Sequence, residues 1–259
     1  MSQEDTNQKP ITAAMLAIGD ELLSGRTKDK NIGYLADFLT LKGIDLSEVR
    51  IVPDEEDRIV EALNALRSRY TYVFTSGGIG PTHDDITADA VAAAFGVPIG
   101  HDPRAMTILS DHYARREMEF TDARKRMARL PQGSDLIDNP VSVAPGFRIE
   151  NVHVMAGVPS IFQAMMDNVG PTLKSGIQII SKSVDCPFGE GTIGGPLTLI
   201  QKNHPGTAIG SYPRYDGKVY STQIVIRSRN EEAIVAAETD VIAMLADLTD
   251  LKSKLKTHS

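Results

Sequence analysis

The sequence contains no tryptophan, a single cysteine and few aromatic residues, and these shortages limit what the protein can be. Of 259 residues, 5% are aromatic, and Cys186 is the one cysteine. A lone cysteine can form neither an internal disulfide framework nor a thiolate zinc cluster. No histidine-bearing motif accompanies it, so we expect Cys186 to be a structural thiol and not a nucleophile.

Long apolar runs and an excess of basic charge are also missing. No run approaches the roughly 20 apolar residues that cross a bilayer. Residues 1–10 are polar and acidic, unlike a signal peptide, and we expect them to form a disordered lead-in. We therefore expect a cytoplasmic protein without a membrane partner. The net charge of −7 argues against a general nucleic-acid surface, whereas a hydrophobic content of 41% allows an ordinary globular core.

The first part of the chain alternates between apolar strands and amphipathic helices. The pattern predicts strand 11–19, helix 30–43, strand 44–52, helix 54–69, strand 70–76, helix 86–96, strand 152–157 and a helix from Pro159. Such alternation is typical of the α/β class, in which helices cover both faces of a mainly parallel sheet. We predict that this domain spans residues 11–172.

Two further segments have different patterns. Residues 103–129 read as helical and are rich in arginine and methionine, which fits either a solvated surface or a lid facing an anion. From about residue 172 the order becomes strand, helix, strand, strand, helix, with partial period-two alternation over residues 219–227. We predict a small α+β domain over residues 173–250, followed by a tail over residues 251–259.

The stretch "TSGGIGPTHDDITADAV", residues 75–91, holds the strongest functional signal. Its glycines follow an apolar strand, and in a parallel sheet ligands sit beyond the carboxyl ends of the strands. Glycines there let backbone N–H groups approach an anion, and the next helix adds its positive dipole. A tight strand-to-helix turn, with one aspartate capping the helix, explains the glycines equally well.

The adjacent aspartates Asp84 and Asp85 are harder to explain as caps, because one cap needs one side chain. Beside a phosphate they would repel it unless a cation lay between, and paired carboxylates with phosphate suit Mg²⁺. Acids follow two other strands, namely Asp20 with Glu21 and, after the second strand, Asp54. Each alone could be a cap or a surface acid, but three acidic patches at successive strand ends favour one shared site.

The motifs "AIGDELLSG", "VPDEEDRI", "TSGGIGPTHDDITADAVAAAFG" and "NPVSVAPGF" occur in this order. With them, residues 11–172 closely resemble the molybdopterin-binding domain family, which includes the MoaB and MogA type and the N-terminal region of the CinA type. The "GDELLSG" and "GPTHDDIT" motifs resemble the CinA branch. Residues 173–247 resemble its small KH-like middle domain, and the chain stops where an amidohydrolase domain would begin in CinA.

The resemblance implies a three-layer α/β/α domain, a homo-oligomer, and a pterin or dinucleotide bound at the strand ends. It implies that Gly77, Gly78 and Gly80 line the phosphates, and that Asp85 and Asp54 are the functional aspartates. For the CinA type it implies metal-dependent hydrolysis of a dinucleotide pyrophosphate such as ADP-ribose or FAD, with Mg²⁺, Co²⁺ or Mn²⁺ as the cation.

The chain departs from the family pattern at five positions around the expected site. Ser142 and Val143 replace a Gly-Thr pair, Ala156 and Val158 replace prolines, and Ile161 replaces a usual glutamate. Three alternatives to hydrolysis therefore remain open: binding of molybdopterin or a nucleotide without turnover, molybdopterin adenylyltransfer, and an interaction role for the small domain. The KH-like resemblance does not imply RNA binding, because the segment around Gly194 is not a basic clamp.

The candidate site residues fall into three groups. Asp54 and Asp85 are the candidate catalytic residues. The candidate metal ligands are Asp20, Glu21, Asp84 and Asp85. The candidate ligand- and phosphate-binding residues are Gly19, Ser76, Gly77, Gly78, Gly80, Pro81, Thr82, Thr87 and Gly146.

Overall fold

The computed structural model describes residues 9–215, 217 and 220–257. All of the predicted lead-in except Lys9 and Pro10 lies outside the described residues, as do the last two residues of the predicted tail. The chain divides between Gly176 and Ile177 into an N-terminal and a C-terminal unit. Within the described ranges, no helix is both long and apolar enough to cross a bilayer.

The N-terminal unit is an α/β domain. Its strands are β1 (Ile11–Ile18), β2 (Ile44–Val52), β3 (Tyr72–Ser76), β4 (Ile99–His101), β5 (Arg129–Pro131), β6 (Asp135–Ile137), β7 (Gly146–Ile149) and β8 (Val152–Met155). Its helices are α1 (Asp20–Leu23), α2 (Asn31–Leu41), α3 (Glu56–Arg67), α4 (Thr87–Phe95), α5 (Pro103–Arg115), α6 (Asp122–Lys125) and α7 (Pro159–Val169), with 3₁₀ turns at Arg126–Ala128 and Gly170–Thr172.

The main sheet has the strand order β2-β1-β3-β8-β7-β6. The first four of these strands are mutually parallel, and β7 and β6 add an antiparallel edge. Ser76 pairs with both Ala17 and Met155, and Ile18 pairs with Val52, so the parallel strands end level with one another. Loops after these strands therefore meet at one edge of the sheet, and the prediction of a mainly parallel sheet is confirmed.

Two hydrophobic clusters cover the two faces of this sheet. In β1, Leu16 and Ile18 belong to a cluster formed with α3, α4 and α5, whereas Met15 belongs to a cluster formed with α2 and α7. Successive residues of a strand point to opposite faces. A strand buried on both faces reads as a continuous apolar run, which is what residues 11–18 show. The three-layer α/β/α arrangement follows directly.

The helix predicted over residues 103–129 is interrupted. Asp102 caps α5 by accepting hydrogen bonds from Arg104 N and Ala105 N, but the helix ends at Arg115. Glu117 then has a φ of 55°, which leaves the helical region, and the chain resumes helix only in α6. Residues 129–131 form β5, which pairs with β4. No glycine or proline marks the interruption in the sequence.

The C-terminal unit is a small α+β fold, as predicted. It contains β9 (Ile180–Cys186), α8 (Glu190–Asn203), β10 (Ala208–Tyr215), β11 (Tyr220–Ser228) and α9 (Glu231–Thr257), with the antiparallel strand order β10-β11-β9. Helix α9 extends past residue 250, to Thr257. Cys186 is buried in the hydrophobic cluster of this unit, which agrees with a structural thiol.

Candidate functional site

A cavity of about 540 Å³ lies where β1, β3 and β8 end. Its volume is in the range of roughly 300–1,000 Å³ that is usual for small-molecule sites. We call it the glycine-loop cavity, after residues 77–81, the glycine loop. The candidate residues that line it are Gly19, Glu21, Asp54, Gly77, Gly78, Gly80, Pro81, Asp84 and Asp85. The strand-end loops thus bring most of the predicted set together.

The glycine loop needs its first two glycines for conformational reasons. Gly77 and Gly78 have φ values of 110° and 68°, a region that side chains disfavour. A Cβ atom on Gly77 would overlap the carbonyl oxygen of Ile18, and one on Gly78 would overlap Oγ1 of Thr87. Thr87 itself is fully buried and donates a hydrogen bond to Gly77 O over 3.0 Å. The loop is therefore held in a fixed conformation.

The same loop presents free backbone donors. Gly77 N donates to Met155 O, but within the described ranges the amides of Gly78, Ile79 and Gly80 have no hydrogen-bond acceptor in the chain. Such amides are the groups that bind phosphate oxygens in glycine-rich loops. The turn and the anion-binding interpretations of the sequence are thus compatible.

Four carboxylate side chains line the cavity, and we call them the acid wall: Glu21, Asp54, Asp84 and Asp85. Asp20 contributes through its backbone, because its N–H donates to Oδ2 of Asp54 over 3.0 Å. Burial raises the pKa of the Asp54 carboxyl above its usual value. The bond from Asp20 lowers this pKa, and the charges of Asp20, Glu21 and Asp84 raise it again. Negative charge is therefore crowded around Asp54.

The acid wall has the donor chemistry that a hard divalent cation prefers, and a cation would relieve the repulsion that raises the pKa of Asp54. Among the described residues, however, no three His, Cys, Asp or Glu side chains are gathered closely enough to hold a metal by themselves. A cation here would take much of its coordination from water and from the oxygens of the ligand.

Asp85 has a structural task besides any chemical one. Its Oδ2 accepts a hydrogen bond from Thr82 N over 2.8 Å and another from the Thr82 hydroxyl. It therefore closes the turn that follows the glycine loop, and Thr82 supports Asp85. Thr82 does not line the cavity within the described part of the chain.

Six apolar side chains also line the cavity, and we call them the apolar wall: Ile79, Met127, Ala144, Ala156, Val158 and Ile161. Three of the five departures from the family pattern, Ala156, Val158 and Ile161, belong to it. A cavity lined by apolar side chains and by carboxylates suits a ligand that carries both a flat, apolar ring system and charged groups.

The other two departures lie in a loop next to this wall. Asn139 is buried and shapes the loop, since its side chain donates to Ala144 O over 2.8 Å and accepts from Ser142 N over 3.1 Å. Val143 has a φ of 69°, a left-handed conformation that is strained for a β-branched residue. The loop that borders the cavity is therefore under backbone strain at Val143.

Three other predicted ligand-binding residues do not line the cavity. Ser76 is buried, and Thr87 is buried and supports the loop through its hydrogen bond to Gly77 O. Gly146 lies in β7, where a Cβ atom would overlap the carbonyl oxygen of Val154 and crowd Met165. The structure thus gives Gly146 a packing role in the sheet, outside the lining of the glycine-loop cavity.

Asn31 is the residue that the sequence analysis missed. It is 2% exposed, and its Nδ2 donates to Ser76 Oγ over 2.7 Å and to Gly157 O over 2.8 Å. Its Oδ1 is buried and has no partner in the described chain, and the residue lines a smaller cavity beside Glu21. The available signal was its helical spacing from the core residues Leu35 and Leu39, which places it on the buried face of α2.

Comparisons with known proteins agree with this fold. A profile described as "Probable molybdopterin binding domain" matches residues 14–175, and one described as "FAD synthase, middle domain" matches residues 178–251. The chain therefore belongs to the molybdopterin-binding domain family.

Individual relatives extend this result. A protein of Aeropyrum pernix is 31% identical over 244 residues, which are 87% of this chain and 91% of that protein. A protein of Caldivirga maquilingensis is 36% identical over 168 residues, and the match spans 63% of this chain and 65% of that protein. The solved structure of "the protein CinA with unknown function" from Thermoplasma acidophilum is 29% identical, covers 63% of this chain and 98% of its own, and has a TM-score of 0.59. The resemblance to the CinA type is thus confirmed.

Proposed function

We propose that the protein is a metal-dependent pyrophosphatase that hydrolyses a dinucleotide such as ADP-ribose or FAD. The observation that carries this proposal is that one cavity of about 540 Å³ combines free loop amides, an acid wall and an apolar wall. A dinucleotide has the matching parts, namely a diphosphate and flat ring systems. The match of residues 178–251 to a domain of FAD synthase supports a nucleotide-related substrate.

The reaction adds water to one phosphorus of the diphosphate and breaks the bridging P–O bond, so ADP-ribose gives AMP and ribose 5-phosphate. Asp54 orients the attacking water and accepts its proton, a task favoured by a raised carboxyl pKa. The amides of Gly78, Ile79 and Gly80 donate to the oxygens on which charge develops. A divalent cation bound at the acid wall would neutralise the diphosphate and acidify a bound water.

The test is incubation with ADP-ribose or FAD in the presence of Mg²⁺, Mn²⁺ or Co²⁺, followed by chromatography for AMP. We expect AMP only with metal, and a loss of at least about 100-fold in Asp85→Asn. An asparagine oxygen can still accept the hydrogen bonds from Thr82, so this variant preserves the turn. The control is Asp111→Asn, which changes an exposed acid on α5. Unchanged turnover in Asp85→Asn would refute the site assignment.

Binding without turnover is the second candidate, and Ile161 favours it. An isoleucine lines the cavity where the family pattern has a glutamate, so an acid is absent from this wall. A pure binder would gain thermal stability from ADP-ribose or molybdopterin while releasing no product. Ile161→Glu separates the two cases, because AMP formed by this variant but not by the wild type would identify the missing acid as the reason for inactivity.

A further inference from the structure

Arg126 opens the 3₁₀ turn Arg126–Ala128 and lies near the glycine loop. It lines a second, small cavity of about 20 Å³, which we call the arginine cavity. Gly78, Ile79 and Gly80 line the arginine cavity and the glycine-loop cavity alike. Arg126 and the three residues with free loop amides therefore line the same small space. A space of this size admits about one water molecule or one ligand oxygen.

The other charged groups of the arginine cavity already have partners. Arg129 binds Asp89 with two hydrogen bonds of 2.6 and 3.2 Å. Asp85 accepts from Thr82. Arg126, by contrast, has no ion pair within the described ranges. Its Nη2 makes a long contact of 3.4 Å with the carbonyl oxygen of Asp85, and its Nε is buried with no partner there.

A buried guanidinium N–H without an acceptor is costly, because the group has lost its hydration and gained nothing in exchange. The nearby unsatisfied groups are the amides of Gly78, Ile79 and Gly80, which are also donors. Donors that line one small space and have no partner call for an oxygen, and the positive charge of Arg126 favours an anionic one.

We propose that Arg126 binds a phosphoryl oxygen of the ligand and thereby makes the site selective for diphosphates over phosphate-free ligands. The proposal rests on the proposed function for the class of ligand, but it concerns binding and not turnover. Arginine suits this task because its fixed fork of donors stays charged and matches phosphate geometry. A structural role, in which Arg126 only holds the Asp85 carbonyl, would affect charged and uncharged ligands alike.

The experiment is isothermal titration of the full chain with sodium pyrophosphate, ADP-ribose and adenosine, all in MgCl₂ at low and high salt. We expect Arg126→Gln to lower the affinity for pyrophosphate and for ADP-ribose by about 10- to 100-fold. The binding of adenosine should not change. The loss of affinity with rising salt should also become shallower, because one charge contact is removed.

Two further variants control the result. Arg124→Gln removes a neighbouring arginine that packs on Tyr113, 4.4 Å from the ring centre, and should bind all three ligands like the wild type. Arg126→Lys keeps the charge but not the fork, so an intermediate affinity for pyrophosphate is expected. If Arg126→Gln does not fold, the lysine variant provides the test. Weaker binding of pyrophosphate with unchanged binding of adenosine would then support the proposal.

The inference would be overturned if the wild type and Arg126→Gln bound pyrophosphate equally well. It would also be overturned if Arg126→Gln lost affinity for adenosine and for pyrophosphate to the same extent. A wild type that does not bind pyrophosphate would overturn it too. None of these outcomes depends on product formation. Absence of AMP in the hydrolysis assay would refute the proposed function alone, while the Arg126 dependence of binding would stand.

Discussion

The backbone N–H of Asp20 donates a hydrogen bond of 3.0 Å to Oδ2 of Asp54, and this bond joins the loops that follow β1 and β2. The two residues are 34 positions apart in the sequence. The bond helps to fix the Asp54 carboxylate within the acid wall, where burial and neighbouring charges raise its pKa. An ionised Asp54 therefore destabilises the folded protein at neutral pH, and a ligand or cation that offsets this charge should stabilise it.

Asp54→Asn tests this charge crowding. The folded pKa of Asp54 lies above the unfolded one, so its ionisation lowers stability as pH rises through the folded pKa. The asparagine oxygen still accepts the bond from Asp20. We expect a melting temperature at pH 7, without metal, that is raised by about 1–3 °C. The stabilisation by millimolar Mn²⁺ should shrink relative to that of the wild type.

The control for Asp54→Asn is Glu61→Gln, which changes an exposed acid of α3 outside the cavity. It should leave the response to Mn²⁺ as it is in the wild type. A wild type that gains no stability from Mn²⁺, together with an unchanged melting temperature in Asp54→Asn, would argue against a cation at the acid wall.

Gly78→Ala tests the fit of the glycine loop. Gly78 and Gly25 have similar φ values of 68° and 72°. A Cβ on Gly78 would overlap Thr87, whereas none of the described residues lies within 4 Å of a Cβ on Gly25. Gly25→Ala should therefore cost about 1 kcal/mol, the penalty for the left-handed conformation. Gly78→Ala should cost roughly 1–3 kcal/mol more, because it also disturbs a buried hydrogen bond. Urea midpoints measure the difference, and equal costs would contradict the contact with Thr87.

Val143→Gly tests the strain beside the apolar wall. A β-branched residue at a φ of 69° is strained, and glycine adopts this conformation freely. We expect the free energy of unfolding to rise by about 1 kcal/mol. The matched variant Val141→Gly changes an exposed valine that has no positive φ, and it should lower stability slightly. A loss of stability in Val143→Gly as large as that in Val141→Gly would show that Val143 stores no strain.

His153 predicts a specific sensitivity to acid. Burial lowers its pKa to about 4, with a smaller contribution from Arg148, and its ring stacks on Phe74 at 5.1 Å. An unfolded histidine titrates near pH 6.5. As the pH falls from 6.5 towards 4, the unfolded state therefore binds a proton that the folded state does not bind. Stability should fall by roughly 3 kcal/mol over this window.

The measurement for His153 is the urea midpoint between pH 7 and pH 4.5 for wild type and His153→Phe, which retains a ring on Phe74. The urea midpoint should fall less steeply with decreasing pH in His153→Phe than in the wild type. His101→Phe changes an exposed histidine of β4 and should keep the wild-type slope. Equal slopes in wild type and His153→Phe would contradict a neutral, buried His153.

The sequence alone was enough for the class of fold and for the edge of the sheet at which most of the predicted site residues come together. Strands buried on both faces read as continuous apolar runs, as in residues 11–18, and helices carry their own spacing and caps. Acids and glycines that directly follow such strands must meet at one edge, because parallel strands all end there. The helix predicted over 103–129 was interrupted, since no glycine or proline marks the break after Arg115.

Only the tertiary structure decided which of these residues face the ligand and which support the loops. The side chain of Asn31 binds both Ser76 and Gly157, and Gly157 is 126 positions from Asn31 in the sequence. Position 146 must be glycine because a Cβ atom there would overlap the carbonyl oxygen of Val154 in the next strand. The unpartnered Nε of Arg126 likewise depends on the approach of Arg126 to the glycine loop, which lies more than 40 positions earlier in the chain. Local patterns specify helices, strands and turns, whereas the partners of a buried polar atom come from distant parts of the chain and exist only once it has folded.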